Sequence, residues 1–188
     1  ALFLTVAFTA WGMAGAPPPA IFNGRDLGGW TVVGAPDWRV EDGAIVGESD
    51  PERQGSMLFT EASYGDVVFE CDVRFSGEID SGIMLRKPEL QVQIGVSRSL
   101  KRDMTGSFYV GGYPEEARAP RATELWKAAE WNRIRVEARG DTFTVWINGE
   151  KVSTYTTDKH REPAPIGLQI HKGVAMKVAF RNLRAAAP

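Results

Sequence analysis

The chain has 188 residues, six tryptophans and a formal net charge of −2, which fits one domain with a substantial apolar core. A pI near 5.8 argues against nucleic acid or an anionic membrane as a partner, because both are bound through basic surfaces. A single cysteine excludes an internal disulfide, and the sequence lacks the GxSxG, HExxH, CxxC and phosphate-loop motifs of common enzyme classes.

Residues 1–20 differ in composition from the rest of the chain. An apolar run leads into the small residues Ala14-Gly15-Ala16, and three prolines follow. This pattern is typical of the apolar region and cleavage site of a secretory signal peptide. We interpret 1–20 as a signal-peptide remnant with a Pro-rich spacer, and 21–188 as the domain of an exported, periplasmic or extracellular protein. An N-terminal strand or apolar anchor is the alternative, although the run is too short for a stable membrane-spanning helix.

Period-2 alternation dominates residues 21–188. The pairs Asp42-Gly43 and Asn148-Gly149 predict hairpin turns, because these residue types tolerate positive φ. One short helix is expected at 122–130. About ten short strands without βαβ spacing predict an all-β, antiparallel β-sandwich.

The strand at 90–94 has two chemically different faces. Leu90, Val92 and Ile94 alternate with Gln91 and Gln93, so the apolar side chains point to a core and the amides to the other side. Paired amides suit a groove for a hydroxylated ligand. A solvated outer face is the alternative interpretation.

A second strand, at 166–171, repeats this arrangement and contains a histidine. Gln169 and His171 share its polar side. Histidine is the residue type that exchanges protons near neutral pH, so His171 is a candidate acid or base if this face meets the Gln91 and Gln93 face. A purely structural histidine is the alternative.

Other polar groups are less specific. His160, the second histidine, has no second ligand at metal spacing, so a transition metal would need distant carboxylates. Glu70 and Asp72 have a separation that occurs in glycosidases, but the arginine in phase with them favours a salt-bridged outer face. Cys71, in the same strand, is expected to be a buried apolar residue.

Two further segments are candidates for ligand contacts. The loop 111–121 is long and polar, and such loops on a sandwich are often functional. Arg98, Lys101 and Arg102 form a small basic cluster, which is either a solvated loop or a site for an anionic or hydroxylated ligand.

Nine motifs resemble, in order, those of the 3-keto-disaccharide hydrolase family. They cover residues 21–185 and are Phe22-Asn23-Gly24-x-Asp26-Leu27-x-Gly29-Trp30, Trp38-x-Val40-Glu41-Asp42-Gly43, Ser81-Gly82-Ile83-x-Leu85-Arg86, Gln91-Val92-Gln93-Ile94, Thr105-Gly106-Ser107-Phe108-Tyr109, Glu130-Trp131-Asn132, Trp146-x-Asn148-Gly149, Pro165-Ile166-Gly167-Leu168-Gln169-x-His171 and Phe180-Arg181-Asn182-Leu183-Arg184.

The resemblance implies a concanavalin A-like jelly roll that acts on 3-keto-glycosides by elimination and hydration, a net hydrolysis. It implies His171 as base or acid and Arg86 as the partner of an enolate or hydroxyl. Gln91, Gln93, Tyr109 and Gln169 become the expected sugar-binding residues. No cofactor is expected from the sequence, which leaves a divalent metal possible but offers no support for one.

One position departs from the family pattern. Many members have a glutamate where this chain has Gln91, so a carboxylate is missing from the expected groove. Two alternatives therefore stay open. One is a noncatalytic glycan-binding module that uses Gln91, Gln93, Arg86 and a tryptophan, Trp126 or Trp146. The other is a structural jelly roll in a larger secreted assembly. A carboxylate such as Asp80 or Asp103 near His171 would favour the enzyme.

Overall fold

A computed structural model describes residues 17–188, which form two antiparallel sheets packed face to face. The strands in chain order are β1 (Trp30–Gly34), β2 (Trp38–Glu41), β3 (Ala44–Glu48), β4 (Ser56–Tyr64), β5 (Val67–Phe75), β6 (Asp80–Lys87), β7 (Leu90–Ser97), β8 (Arg102–Asp103), β9 (Phe108–Tyr109), β10 (Asn132–Arg139), β11 (Thr142–Ile147), β12 (Glu150–Thr156), β13 (Glu162–Ile170) and β14 (Lys177–Ala186). A 3₁₀ turn, Glu115–Ala117, and one short helix, α1 (Ala122–Leu125), interrupt them.

The two sheets have different roles. The front sheet has the order β1-β4-β13-β6-β7-β8, with β9 also paired to β7. The back sheet has the order β12-β11-β10-β5-β14-β3-β2. The predicted antiparallel sandwich is therefore confirmed. The two polar strand segments singled out in the sequence lie in β7 and β13, which are both neighbours of β6.

Alternation along β7 and β13 separates the core from the front surface. Leu90, Val92 and Ile94 have no exposed area, and neither has Leu168. They pack in the single large cluster of apolar side chains between the sheets. Because successive side chains of a strand point to opposite faces, the residues between them point outward together.

Glu70 and Asp72 form ion pairs, as the sequence suggested, but their partners come from the neighbouring strands β10 and β14 and not from their own strand. Arg135 Nη1 lies 2.6 Å from Glu70 Oε1, and Asp72 contacts Arg133 Nε at 3.2 Å and Arg181 Nε at 3.4 Å. Glu70 and Asp72 are thus structural. Cys71 between them is buried, and burial raises the pKa of its thiol.

The predicted signal-peptide remnant lies outside the described residues at positions 1–16, so its cleavage and the export of the protein stay predictions. The described end runs beside β14. Ile21 N–H donates to the Leu183 carbonyl at 2.9 Å, and the Pro19 carbonyl accepts from Ala185 N–H at 3.1 Å. Contact with the sandwich therefore begins before Ile21. Among residues 17–188, no helix has the length and apolar character needed to cross a bilayer.

Asp37 lies before β2 with 6% of its surface exposed, and its Oδ2 has no hydrogen-bond partner among residues 17–188. Burial, followed by the nearby charge of Asp50, raises the pKa of this carboxyl above its ordinary value. A raised folded-state pKa means that the folded protein binds the Asp37 proton more tightly than the unfolded chain does. The stabilisation from this proton is fully present below the unfolded-state pKa and is lost as pH rises through the folded-state pKa.

We therefore expect Asp37→Asn to be more stable than wild type at pH 7, with the difference disappearing toward acidic pH, about pH 4. Thermal melts from acidic to neutral pH measure this. Asp26→Asn is the control, and the pH dependence of its stability difference should have the opposite sign. Hydrogen bonds from Asn23 and Gly28 lower the pKa of the exposed Asp26. A stability difference for Asp37→Asn that does not change with pH would contradict the assignment.

Candidate functional site

A polar pocket of about 290 Å³ opens on the front sheet above β6, β7 and β13. Most of its lining consists of amides, hydroxyls and charged groups. The lining residues are Asp80, Glu89, Gln91, Gln93, Ser97, Arg98, Ser99, Tyr109, Tyr113, Gln169 and His171. The strand alternation predicted that Gln91, Gln93, Gln169 and His171 share one face, and the structure brings all four together.

A glycine makes room for the floor of this pocket. Gly82 of β6 pairs with Gln93 of β7 and has no side chain on the front face. A Cβ at this position would overlap the side chain of Gln91. The Gln91 amide can therefore lie across β6 and reach Gln169 on β13, at 3.2 Å from its Nε2 to Gln169 Oε1.

The Asp80 carboxylate fixes the direction of these amides. Gln93 Nε2 donates to Asp80 Oδ1 at 2.8 Å, and the second carboxylate oxygen accepts from the backbone N–H of Arg98 at 3.1 Å. An ionised carboxylate only accepts hydrogen bonds, so Gln93 must turn its NH₂ toward Asp80 and its oxygen away. That oxygen accepts from Gln91 Nε2 at 3.0 Å.

The remaining amide atoms face the pocket. Because Gln91 uses its NH₂ for Gln93 and Gln169, its oxygen points away from both. Gln91 Oε1 and Gln169 Nε2 make no hydrogen bond to any of residues 17–188. One acceptor and one donor are thus available, which is the pair that a sugar hydroxyl can use as donor and acceptor at once.

His171 stands at one end of the floor, opposite Asp80. Its backbone N–H donates to the Asp80 carbonyl at 3.3 Å, so the two residues are cross-strand neighbours, whose Cβ atoms are typically about 4.5–5.5 Å apart. The ring Nδ1 lies 2.7 Å from the Lys172 carbonyl oxygen. A carbonyl only accepts, so Nδ1 carries a hydrogen, and in the neutral ring Nε2 is then the basic nitrogen.

Tyr113, which sequence reasoning did not single out, forms a wall of the pocket. It comes from the long loop 111–121, and its hydroxyl donates to Gln93 Oε1 at 2.9 Å. Its ring centroid lies 5.2 Å from that of Tyr109, with the ring planes at 60°. Burial raises the pKa of Tyr113 to about 12, so the phenol stays protonated as a donor. The unusual length of the loop was the sequence signal for this residue.

Arg86 does not line the pocket, so the prediction that it lies beside a substrate is wrong. The pairing of β6 with β7 shifts between Met84 and Arg86. Only 5% of Arg86 is exposed, and its guanidinium contacts Asp66 Oδ1 at 2.9 Å. It also donates to the backbone carbonyls of Gly65, His160 and Arg161. A buried arginine with all of these partners holds loops together. Arg98, from the basic cluster, is the pocket arginine instead.

Neither tryptophan of the binding-module interpretation lines the pocket. Trp126 packs on Phe75 with ring centroids 5.1 Å apart, and Trp146 lies on the back sheet beneath Arg135. The predicted recognition surface with Arg86 and a tryptophan is therefore wrong as well.

Two carboxylates line the pocket in spite of the glutamine at 91. Asp80 is buried and is the cross-strand neighbour of His171, whereas Glu89 is exposed at the turn between β6 and β7. Asp103 is not among the lining residues. Within residues 17–188, no three His, Cys, Asp or Glu side chains cluster as metal ligands would. The expected independence of metals stays a prediction.

Fold and pocket together define a concanavalin A-like jelly roll with a small polar pocket on one sheet. The chain belongs to the family described as 3-keto-alpha-glucoside-1,2-lyase-like domains, which matches residues 18–186. The resemblance seen in the sequence is thereby confirmed, and the family connects the protein with carbohydrates. Comparison with curated protein sequences finds no significant match.

Solved structures share this fold. A proposed glycosyl hydrolase of Parabacteroides distasonis is 21% identical, with a TM-score of 0.68 over 92% of this chain and 94% of that one. The carbohydrate-binding module CBM66 of Bacillus subtilis is 17% identical, with a TM-score of 0.55 over 89% and 99%. A family GH16 endo-β-1,3(4)-glucanase is 12% identical, with a TM-score of 0.57 over 91% and 88%. At these identities the likeness establishes the fold alone.

The amide network makes a prediction about positions 80 and 91. A carboxylate at 91 would face the oxygens of Gln93 and Gln169. Gln169 can turn its amide, but Gln93 can turn only by placing its oxygen against Asp80. We expect Gln91→Glu to lower the free energy of unfolding by about 1–3 kcal/mol, the cost of an unsatisfied buried polar contact.

The same change should cost at least about 1 kcal/mol less in an Asp80→Asn background, because the side-chain NH₂ introduced at position 80 can donate to the turned Gln93. Urea denaturation of wild type, both single variants and the double variant gives this coupling energy. Additive effects would show that Asp80 does not fix the direction of the amides.

Proposed function

We propose that this protein cleaves 3-keto-glycosides, including 3-keto-disaccharides. The observation that carries the proposal is the position of His171. Its Nδ1 is hydrogen-bonded to the Lys172 carbonyl, and the residue lines a pocket of amides and hydroxyls that suits a sugar. In the neutral form of such a ring, Nε2 is the nitrogen that can accept a proton. Family membership supplies the reaction class.

The chemistry needs only modest catalytic groups. A ketone at C3 acidifies the proton on C2, so a base can remove it and leave the electron pair in an enolate. The enolate then re-forms the ketone and expels the oxygen on C1, which takes up a proton, and a double bond remains between C1 and C2. Water adds to C1 of this enone and a proton returns to C2, so the net reaction is hydrolysis.

The pocket residues fit these steps. His171 Nε2 accepts the C2 proton, and the Nδ1 contact with the Lys172 carbonyl holds the ring in place. Arg98 is the cation available for the enolate oxygen. Gln91 Oε1, Gln169 Nε2 and the Tyr109 hydroxyl bind the ring hydroxyls. A volume of about 290 Å³ is at the small end for ligand pockets and suits one sugar ring.

A noncatalytic sugar-binding domain is the second candidate. The amide-rich floor favours it, because amides bind hydroxyls but transfer no protons. The shared fold with CBM66 is consistent with a binding role. The two candidates differ in one result, which is whether a bound 3-keto-glycoside is cleaved.

If the protein is the enzyme, the ketone is essential. We expect release of the leaving sugar from 3-keto-trehalose or 3-keto-lactose and none from trehalose or lactose, whose C2 protons are not acidified. Chromatography of the products measures this. Calorimetric binding of the 3-keto sugar without any release would instead support the binding domain.

His171 should be the most sensitive position for turnover. We expect His171→Ala to lower kcat by about 10²–10⁴-fold, the usual contribution of a positioned acid–base group. Calorimetry with the same variant should still detect the 3-keto sugar, because the amide floor is intact. Unchanged kcat would assign the base to another residue, with Glu89 the next to test.

A further inference from the structure

A second depression, of about 280 Å³, adjoins the polar pocket on the front sheet. His171 and Gln169 line both. The rest of the second depression comes from β1, from the start of β4 with the two residues before it, and from the end of β13 with the residue Lys172. Its other lining residues are Val33, Gln54, Gly55, Ser56, Met57, Ile170 and Lys172. His171 therefore stands between two adjoining cavities.

The two cavities lie along one row of the front sheet. Val33 of β1 pairs with Met57 of β4, and Met57 pairs with Gln169 of β13. Gly82 and Gln93 continue toward the polar pocket. The row changes from apolar at the sheet edge to amide at the centre, and the change occurs at Gln169.

The outer cavity leaves an apolar surface in contact with solvent. Val33 is 55% exposed, more than the other exposed large apolar residues of the described chain, Val32 at 37% and Leu100 at 39%. Met57 beside it is partly exposed. No carboxylate lines this cavity within the described residues.

Two polar side chains of the outer cavity are engaged within the protein. The Ser56 hydroxyl donates to the Ala35 carbonyl and accepts from the indole N–H of Trp38. Gln54 Nε2 donates to Glu52 Oε2 at 2.7 Å. Lys172 adds an ammonium group to the lining, and Val33 and Met57 offer an apolar platform.

We propose that the outer cavity is the subsite for the leaving group, and that it takes an aglycone with an apolar face, such as an aryl or alkyl group. This inference rests on the proposed function. In the substrate, the acidic C2 proton and the departing oxygen on C1 are on adjacent carbons. With the keto-sugar ring in the polar pocket and His171 at C2, the leaving group extends past His171 toward Met57 and Val33.

The test uses methyl and benzyl 3-keto-glucosides of the same anomeric configuration. The benzyl group reaches the platform and the methyl group does not. We compare the benzyl-to-methyl ratio of kcat/KM between the wild-type protein and variants, because intrinsic leaving-group reactivity cancels in this comparison. Burial of an aromatic ring against one valine predicts that Val33→Asn lowers the ratio by about 5-fold or more.

Val32→Asn is the matched control. It makes the same chemical change one residue earlier in β1, where the side chain points to the opposite face, and the ratio should stay at the wild-type value. Met57→Gln gives a second test of the platform if Val33→Asn does not fold. Calorimetric affinities for both glycosides, measured in a His171→Ala background, test the same preference without turnover.

The outcomes separate the two proposals. If the wild-type protein neither binds nor cleaves either glycoside, the proposed function fails. If it cleaves both and the ratio is equal in wild type, Val33→Asn and Met57→Gln, the function stands and the subsite is overturned. If Val33→Asn affects 3-keto-lactose as strongly as the benzyl glycoside, the cavity takes a sugar, and the apolar aglycone is overturned.

Discussion

The hydrogen bond from Gln93 Nε2 to Asp80 determines the chemistry of the whole pocket floor. An amide is polar in both directions, and only a fixed neighbour decides which end faces a ligand. Asp80, nearly buried and held by the Arg98 backbone, is that neighbour. Gln93 and Gln91 follow in turn, so one negative charge orients two amides although it contacts only the first. A neutral group at 80 would leave each amide free to reverse.

This network also explains how the chain accommodates a glutamine at position 91, where the family resemblance led us to expect a glutamate. The pocket keeps a buried carboxylate, but at position 80 rather than 91. Gln91 supplies the two N–H bonds that its neighbours need, and its glycine neighbour on β6 gives it space. With a glutamine at 91, the floor presents an amide oxygen, and the buried negative charge of the site comes from Asp80.

The sequence predicted the faces of strands better than it predicted contacts between them. Alternation in β7 and β13 was sufficient to place the glutamines and His171 on one surface, because side-chain direction is a local property. The pairing of Asp80 with His171 depends on β13 crossing to lie beside β6, which no local pattern records. Arg86 was misplaced for the same reason, since a shift in pairing turned it toward the carbonyls of distant loops.

The hydrogen bond from Tyr113 to Gln93 connects the position of the loop 111–121 with ligand binding in the pocket. A carbonyl oxygen has two lone pairs, and those of Gln93 are used by Gln91 and by the Tyr113 hydroxyl. A ligand hydroxyl that binds this oxygen while the Gln91 bond is kept must displace the Tyr113 hydroxyl. Loop position and ligand binding are therefore thermodynamically linked, and the linkage is reciprocal. A sugar that makes no hydrogen bond to Gln93 Oε1 binds with the Tyr113 contact intact. A sugar that replaces this contact loses the free energy of the Tyr113 hydrogen bond from its affinity.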